Sequence, residues 1–218
     1  MATIGGSNVV TDGLILSLDA ANPKSYPGSG TIWSDISGNN YSASLINSPT
    51  YSPANGGTVF FDGTNDYADL NSNNIVAGTN PFTIESFYKT TGGTNGAIFT
   101  NYGAGYLTGN VWFAGRYGLW INNSVYAVGA PLPLGTYHMV ATRDGSGNVR
   151  LYVNGRLNNT GTLTGSIPSN INFRIGSDVN GFNEQLTGNI YSIKVYNRVL
   201  SLDEVVQNYN SQKSRFDL

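Results

Sequence analysis

Phe82-Thr83-Ile84-Glu85-Ser86-Phe87-Tyr88 decides the fold class, because this stretch alternates apolar and polar residues over most of its length. Successive side chains of a β-strand point to opposite faces, so the alternation predicts a half-buried strand. No helix-sized amphipathic segment separates it from the other short β-runs, which favours a two-sheet antiparallel jelly-roll sandwich over a βαβ sheet. These runs lie at 14–19, 43–47, 58–62, 67–70, 97–101, 111–114, 117–121, 125–128, 136–142, 149–153, 171–176 and 190–196.

Turn residues separate the predicted strands. Asp144-Gly145-Ser146-Gly147-Asn148 is a glycine-rich loop of the kind that closes a hairpin. Asn154-Gly155 follows the run that ends at Val153. Because a type I′ turn needs positive φ at both central residues, this pair is a strong hairpin signal.

One helix is predicted, near the end of the chain. Ser201-Leu202-Asp203-Glu204 has the spacing of a capping box, with Leu200 and Val205 placed as its hydrophobic staple. Leu202, Val205, Val206 and Tyr209 then form one apolar face that should lie on the sandwich. No linker divides the chain, so we expect one domain over 1–218, with short tails at 1–12 and 213–218.

The surface is expected to be polar but weakly charged. Charged residues make up 11% of the 218 residues, against about 25% in an ordinary domain. One interpretation is an Asn-, Ser-, Thr- and Gly-rich β-domain exposed to solvent. The other is a surface largely covered by partners, because interface cores are depleted in charge and enriched in Tyr and Trp.

The charge and hydropathy patterns argue against several classes of protein. The net charge is −2 and no basic patch is present, which argues against nucleic-acid binding. No apolar run reaches the roughly 20 residues that span a bilayer, so no membrane insertion is expected. Met1 to Thr11 lacks the features of a secretory signal. The absence of cysteine excludes disulfides and thiolate metal sites.

An ordered series of motifs resembles the laminin-G-like branch of the concanavalin-A-like lectin/glucanase superfamily. This resemblance spans nearly the whole chain and implies a jelly-roll fold. The matching segments are Gly13 to Asp19, Trp33 to Asn39, Phe61 to Tyr67, Phe82 to Glu85, Tyr137 to Ala141, Leu151 to Gly155, Gly188 to Ile190, Tyr196 to Arg198 and Leu200-Ser201.

A narrower resemblance involves two segments. Asn22 to Thr31, and the ending from Gln207-Asn208-Tyr209-Asn210 to Arg215-Phe216, are similar to small laminin-G-like proteins of bacteriophage particles. That resemblance implies a role on the virion surface, as a head decoration or cement protein or as a tail adhesin. The protein would then be made in the host cytoplasm and contact capsid proteins and copies of itself.

The residues do not suggest an enzyme. The β-glucanases of the superfamily use a Glu-x-Asp-x-x-Glu motif, whose two carboxylates lie about 5 Å apart. This chain has three glutamates, Glu85, Glu184 and Glu204, and none is paired at that spacing. Glu85 is interpreted as a satisfied strand carboxylate and the single histidine, His138, as a strand-packing residue.

Calcium is the candidate cofactor. Many relatives bind it through rim loops, and Asp and Asn oxygens suit this hard cation. The candidate ligands are Asp62, Asn65 and Asp66 in one glycine-containing turn, and Asp178 in another loop near Asn180. The alternative, which we favour, is that these residues form Asx-turns.

Aromatic residues crowd one Gly- and Asn-rich stretch and are candidates for contact with glycans. Rings stacked on sugar faces, with polar donors nearby, would form a binding platform. The alternative is that the rings pack in the core or at a subunit interface. The residues are Tyr102, Tyr106, Trp112, Tyr117, Trp120 and Tyr126.

Two functions therefore stay open. The first is a non-enzymatic virion surface protein, a phage head decoration protein above all. The second is a carbohydrate-binding, lectin-like module or tail adhesin that recognises cell-surface glycans with or without calcium. A glycoside hydrolase would lack its carboxylate pair.

Overall fold

The computed structural model of the chain describes residues 8–73, 75–92, 95–103, 106–113, 115–121, 125–169, 172–177, 184–216 and 218. Strands dominate it. In chain order they are β1 (Leu14–Asp19), β2 (Ile32–Trp33), β3 (Ala43–Ile46), β4 (Thr50–Ser52), β5 (Thr58–Asp62), β6 (Tyr67–Asn73), β7 (Phe82–Thr90), β8 (Asn95–Gly103), β9 (Tyr106–Phe113), β10 (Arg116–Ile121), β11 (Val125–Pro131), β12 (Thr136–Arg143), β13 (Asn148–Val153), β14 (Arg156–Thr162), β15 (Asn172–Ile175) and β16 (Thr187–Tyr196).

The strands form two antiparallel sheets, as predicted. Sheet I has the order β14-β13-β12-β7-β16-β5-β4, and β1 also pairs with β16. Sheet II has the order β11-β10-β9-β8-β15-β6-β3-β2. Neighbours in each sheet are often distant in the sequence, which gives the jelly-roll sandwich that the sequence predicts.

The main core lies between the two sheets. Ile84 and Leu151 of sheet I and Trp33, Phe99 and Phe173 of sheet II are among its fully buried side chains. The Phe99 and Phe173 rings are stacked, with centroids 4.7 Å apart. Burial of large apolar side chains of this kind is the main force holding the sheets together.

The predicted hairpins are confirmed. The loop between β12 and β13 is held by Asp144, whose Oδ1 accepts hydrogen bonds from the backbone N–H groups of Ser146 and Asn148 at 2.9 and 2.8 Å. Asn154 and Gly155 join β13 to β14 with φ values of 50° and 74°. Both values are positive, as a type I′ turn requires.

Strand β7 departs from the half-buried pattern that its alternation predicts. Every residue from Phe82 to Tyr88 is buried. Phe82, Ile84 and Tyr88 face the main core, whereas Glu85 and Phe87 are buried outside it, against the C-terminal part of the chain. The prediction was wrong about one face because the segment that covers it lies over 100 residues later in the sequence.

That covering segment is helix α1 (Leu202–Gln212), which begins with the predicted capping box at Ser201 and Glu204. Leu200 and Val205 lie in one buried cluster, as a hydrophobic staple should. The predicted apolar face is wrong at Leu202, whose side chain is 51% exposed. The helix instead buries Val205 together with two polar residues, Asn208 and Gln212.

The segment predicted as a C-terminal tail packs on sheet I. Lys213–Arg215 form a 3-10 turn, and the Phe216 ring lies 4.8 Å from the Phe87 ring and 4.5 Å from the Tyr191 ring. No helix in the described part of the chain has the length and hydropathy needed to cross a membrane. The strands that the sequence did not predict, β2, β4 and β14, lie at sheet edges, and β14 is almost wholly polar.

Candidate functional site

A buried cluster of polar and charged side chains lies between α1 and sheet I. Lys194 of β16 stands opposite Glu85 of β7 in the strand register. Lys194 Nζ lies 3.3 Å from Glu85 Oε1, and the two side chains are only 4% and 0% exposed. Charges this deeply buried are tolerated only when paired.

Asn208 of α1 completes the cluster. Its Nδ2 donates hydrogen bonds to Glu85 Oε2 at 2.6 Å and to the Tyr196 hydroxyl at 2.9 Å. Its Oδ1 accepts a hydrogen bond from the backbone N–H of Val10 at 2.8 Å. The Tyr196 hydroxyl donates in turn to the Val10 carbonyl at 3.1 Å. One amide therefore joins the helix, the sheet and the N-terminal segment. Sequence reasoning missed its role, since polar helix residues normally face solvent.

His138 is buried on the same face of the sheet. Its ring stacks on Phe87 with centroids 4.4 Å apart and faces Tyr209 of α1 at 5.6 Å. His138 Nε2 lies 3.6 Å from Glu85 Oε1, and both side chains are fully buried. These contacts agree with the strand-packing role expected from the sequence.

The cluster keeps Glu85 ionised. Burial alone raises the pKa of this carboxyl, but the Lys194 charge, the His138 contact and the Asn208 hydrogen bond together lower it to about 2. A general acid needs a proton to give near neutral pH and access to its substrate. In this arrangement Glu85 is ionised near neutral pH and enclosed by its partners, which does not meet either requirement.

Glu204 is also engaged within the fold. Its Oε1 and Oε2 accept hydrogen bonds from Arg198 Nη2 and Nη1 at 2.6 and 2.9 Å. Its Oε2 also accepts the Ser201 backbone N–H at 2.8 Å. The hydrogen bonds from Arg198, followed by those at the helix cap, lower the pKa of Glu204 to about 2. This carboxylate anchors the start of α1.

The candidate calcium turn is held by its own hydrogen bonds. Asp62 Oδ1 accepts the Thr64 backbone N–H at 2.7 Å, which lowers the pKa of Asp62. Asp66 Oδ2 accepts the Asp62 backbone N–H at 3.3 Å, and burial raises the pKa of Asp66. Asn65 is exposed, and its carbonyl accepts a hydrogen bond from Asn47.

No group of three or more His, Cys, Asp or Glu side chains in the described residues has an arrangement suited to a metal ion. The contacts around Asp62 match an Asx-turn. Calcium binding at Asp62, Asn65 and Asp66 stays a prediction. Asp178 lies outside the described residues.

The aromatic stretch divides between the core and the surface. The Tyr117 ring is fully buried between the sheets, so it packs in the core and cannot belong to an exposed platform. Trp120, three residues further along β10, is half-buried outside that core. It lies opposite Tyr126 in the register, while Tyr117 lies opposite Trp112. The side chains of Tyr102, Tyr106, Trp112 and Tyr126 lie outside the described residues. Of the two predicted rings whose side chains are described, Trp120 is therefore the one that is partly open to solvent.

The chain matches the family model described as the Concanavalin A-like lectin/glucanases superfamily over residues 62–206. It belongs to this superfamily. The match includes Glu85, His138 and Lys194 but ends before Asn208, so the helix residue that completes the Glu85 cluster lies outside the matched region. No curated protein matches the chain.

Solved structures of other proteins share the fold. Domain 4 of AbnA, a GH43 extracellular arabinanase from Geobacillus stearothermophilus in complex with arabinotriose, superposes with a TM-score of 0.74 at 19% identity. That similarity covers 90% of this chain and 98% of the arabinanase domain. The binding domain of Paraclostridial Mosquitocidal Protein 1 gives 0.72 at 16% identity, covering 92% of this chain and 52% of that one.

The Trypanosoma rangeli sialidase in complex with the inhibitor DANA also shares the fold, with a TM-score of 0.70 at 18% identity. The similarity covers 99% of this chain but only 35% of the sialidase. The chain thus spans about a third of that enzyme. At these identities the likeness establishes the jelly-roll fold alone.

We expect the ionised Glu85 to make folding stability depend on pH in the acid range. Its pKa rises from about 2 in the folded chain to its ordinary value of 4.5 on unfolding. The stabilisation is therefore complete above about pH 4.5 and is lost as the pH falls towards 2. Urea unfolding from about pH 6 to 2 should show the wild type losing roughly 3 kcal/mol more than Glu85→Gln over this range. The exposed Asp203→Asn should follow the wild type, and equal slopes for wild type and Glu85→Gln would contradict the buried ion pair.

The Asx-turn interpretation predicts that calcium does not stabilise the turn at Asp62. Asp62→Asn keeps the acceptor oxygen of the turn but removes the charge that a cation needs. The Tm of the wild type in millimolar calcium should equal its Tm in EDTA, and Asp62→Asn should match both. A calcium-dependent rise in Tm that Asp62→Asn removes would overturn the interpretation and establish the metal site.

Proposed function

We propose that the protein is a non-enzymatic binding module that recognises saccharides through the outer face of sheet II. The observation that carries this proposal is the superposition with arabinanase domain 4, because it covers nearly all of both chains and that domain is in complex with arabinotriose. The likeness thus extends over most of this chain and nearly all of that domain.

The environments of Glu85 and Glu204 support the non-enzymatic part of the proposal. Glu85 is closed off beneath α1 and Glu204 is bound to Arg198. A retaining glycosidase needs one carboxylate to attack and a second, protonated carboxyl to release the leaving group. Neither residue can serve while it holds the helix in place.

Trp120 supports the choice of surface. The central part of sheet I is covered by α1, whereas Trp120 is half-buried and Arg116, four residues earlier on β10 and therefore on the same face of the strand, is exposed. An indole held by its neighbours offers a flat apolar face for the C–H groups of a sugar ring at little cost in side-chain entropy. We name the surface around Arg116 and Trp120 the Trp120 face.

A glycan array followed by calorimetry tests the Trp120 face. Trp120→Ala should weaken binding of any glycan found on the array by about tenfold, because the stacking surface is lost. Trp120→Phe keeps a ring and should retain most of the affinity. Leu157→Ala, a truncation of an exposed side chain in β14, should have no effect. An array without any hit, with or without calcium, would overturn the saccharide proposal.

A second proposal concerns where such a module acts: on the surface of a bacteriophage particle, as a head decoration or cement protein. The two phage-like segments support it because they adjoin in the fold. Arg215 donates paired hydrogen bonds of 3.0 Å to both Asp19 carboxylate oxygens. The surface pocket beside this ion pair is lined by Asn22, Pro23 and Arg215, among others. Asn22 and Pro23 of the first segment and Arg215 of the second thus line the same pocket. Such a protein would bury weakly charged faces against capsid subunits or copies of itself.

Cryo-electron microscopy of the phage that encodes the chain tests this placement. We expect stoichiometric density on the head lattice, with the Asp19–Arg215 surface against a neighbouring subunit. Density only at the tail tip would favour the tail adhesin instead. Absence of the chain from purified particles would overturn both virion roles while leaving saccharide binding to be judged by the array.

A further inference from the structure

A pocket of about 460 Å³ opens where the loop before β7 meets the turn after β16. Ile75, Val76 and Ala77 line one side with Asn80 and Pro81, and Asn197 lines the other. Its volume lies within the range of about 300–1,000 Å³ typical of small-molecule sites. We name it the rim pocket; it uses none of the residues of the Trp120 face.

The floor of the rim pocket is apolar and fixed. Ile75 and Val76 are only 4% and 6% exposed and belong to the main core. Gly78 and Ile167 exchange two backbone hydrogen bonds of 2.8 and 2.9 Å, which tie the loop to a distant segment. The loop is therefore anchored at Gly78 to the segment that contains Ile167.

The opposite wall is held just as firmly. Thr83 is fully buried, and its Oγ1 donates to the Arg198 carbonyl at 2.7 Å while it accepts the Leu200 backbone N–H at 3.0 Å. The Asn197 backbone N–H donates to the Gly13 carbonyl at 2.9 Å. These bonds anchor the turn after β16 to the starts of β7 and β1.

The polar groups of the pocket are two carboxamides. Asn80 and Asn197 are exposed, and neither side chain has a hydrogen-bond partner among the described residues. Each carboxamide offers two donors and an acceptor, which matches the adjacent hydroxyls of a sugar. The Pro81 ring and the aliphatic floor offer surface for its C–H groups.

None of the described residues that line the rim pocket carries a charge. An anionic sugar such as a sialic acid or a uronic acid would have to give up the hydration of its carboxylate without gaining a cation. The pocket therefore suits an uncharged sugar. Binding there should also vary little with salt, because no ion pair forms.

We propose that the rim pocket binds one unit of a neutral saccharide, held by Asn80 and Asn197 over the aliphatic floor. The inference rests on the proposed saccharide function and adds to it a second contact point and a preference for uncharged sugars. A glycan chain bound at two points would bind more tightly than at either alone.

Amide chemical-shift mapping of the whole ¹⁵N-labelled chain tests this proposal, with arabinotriose and maltotriose as neutral probes and 3′-sialyllactose as the acidic probe. A neutral probe should shift the amides of Val76, Ala77, Asn80 and Asn197, and the acidic probe should not. Asn80→Ala and Asn197→Ala should each weaken that binding by roughly fivefold to tenfold. Asn210→Ala, at an exposed position on α1, is the matched control and should bind like the wild type.

Three outcomes would contradict saccharide binding in the rim pocket, and they distinguish its failure from failure of the proposed saccharide function. Shifts confined to residues 116–121, abolished by Trp120→Ala, would leave saccharide binding in place and remove the pocket. Stronger shifts with 3′-sialyllactose than with the neutral probes would show that the selectivity is wrong. An absence of shifts with all probes would exclude the pocket, and a blank glycan array would then remove the proposed function as well.

Discussion

The burial of one carboxylate organises the part of the molecule outside the main core. Glu85 sits on a central strand of sheet I, where a charge without partners would be very unfavourable. Its partners come from three separate segments: Lys194 from β16, Asn208 from α1 and, through Asn208, the backbone of Val10. Because these bonds form together in only one placement of the helix, the cluster fixes where the end of the chain docks, while apolar contacts from Val205 and Phe216 supply the area that is buried.

Docking of the helix decides which surfaces are left for ligands. With α1 and Phe216 over sheet I, the central part of that sheet is closed, and its Glu85 and His138 cannot serve chemistry on a large substrate. The outer face of sheet II and the rim at the ends of the strands remain. The fold thus buries the Glu85–Lys194 pair, while exposed asparagines such as Asn80 and Asn197 and the half-buried Trp120 remain at the surface. Such groups suit recognition by stacking and amide hydrogen bonds.

The two proposed roles, saccharide binding and a place on a virus particle, are compatible because they would use different surfaces. The Trp120 face and the rim pocket involve sheet II, the loop before β7 and the turn after β16, whereas the Asp19–Arg215 pair lies beside the segment between β1 and β2. A protein that bound a particle through the Asp19–Arg215 surface would leave the Trp120 face and the rim pocket exposed. The surfaces are independent because they lie on different parts of the sandwich, whose packed core separates the two sheets.

The sequence by itself determined the features that depend on adjacent residues. The type I′ turn at Asn154-Gly155, the capping box at Ser201 and Glu204 and the alternating strands follow from local backbone and hydrogen-bonding preferences, and the ordered motifs identified the superfamily correctly. Tertiary structure alone decided burial. It buried the polar face of β7 and the helix residue Asn208, and it left Leu202 exposed. It also buried Tyr117 between the sheets while Trp120 lies on the other face of the strand. It also placed Asn80 and Asn197 in the lining of the same pocket. Local backbone preferences depend on neighbouring residues, whereas the burial of a residue depends on which distant segment packs against it.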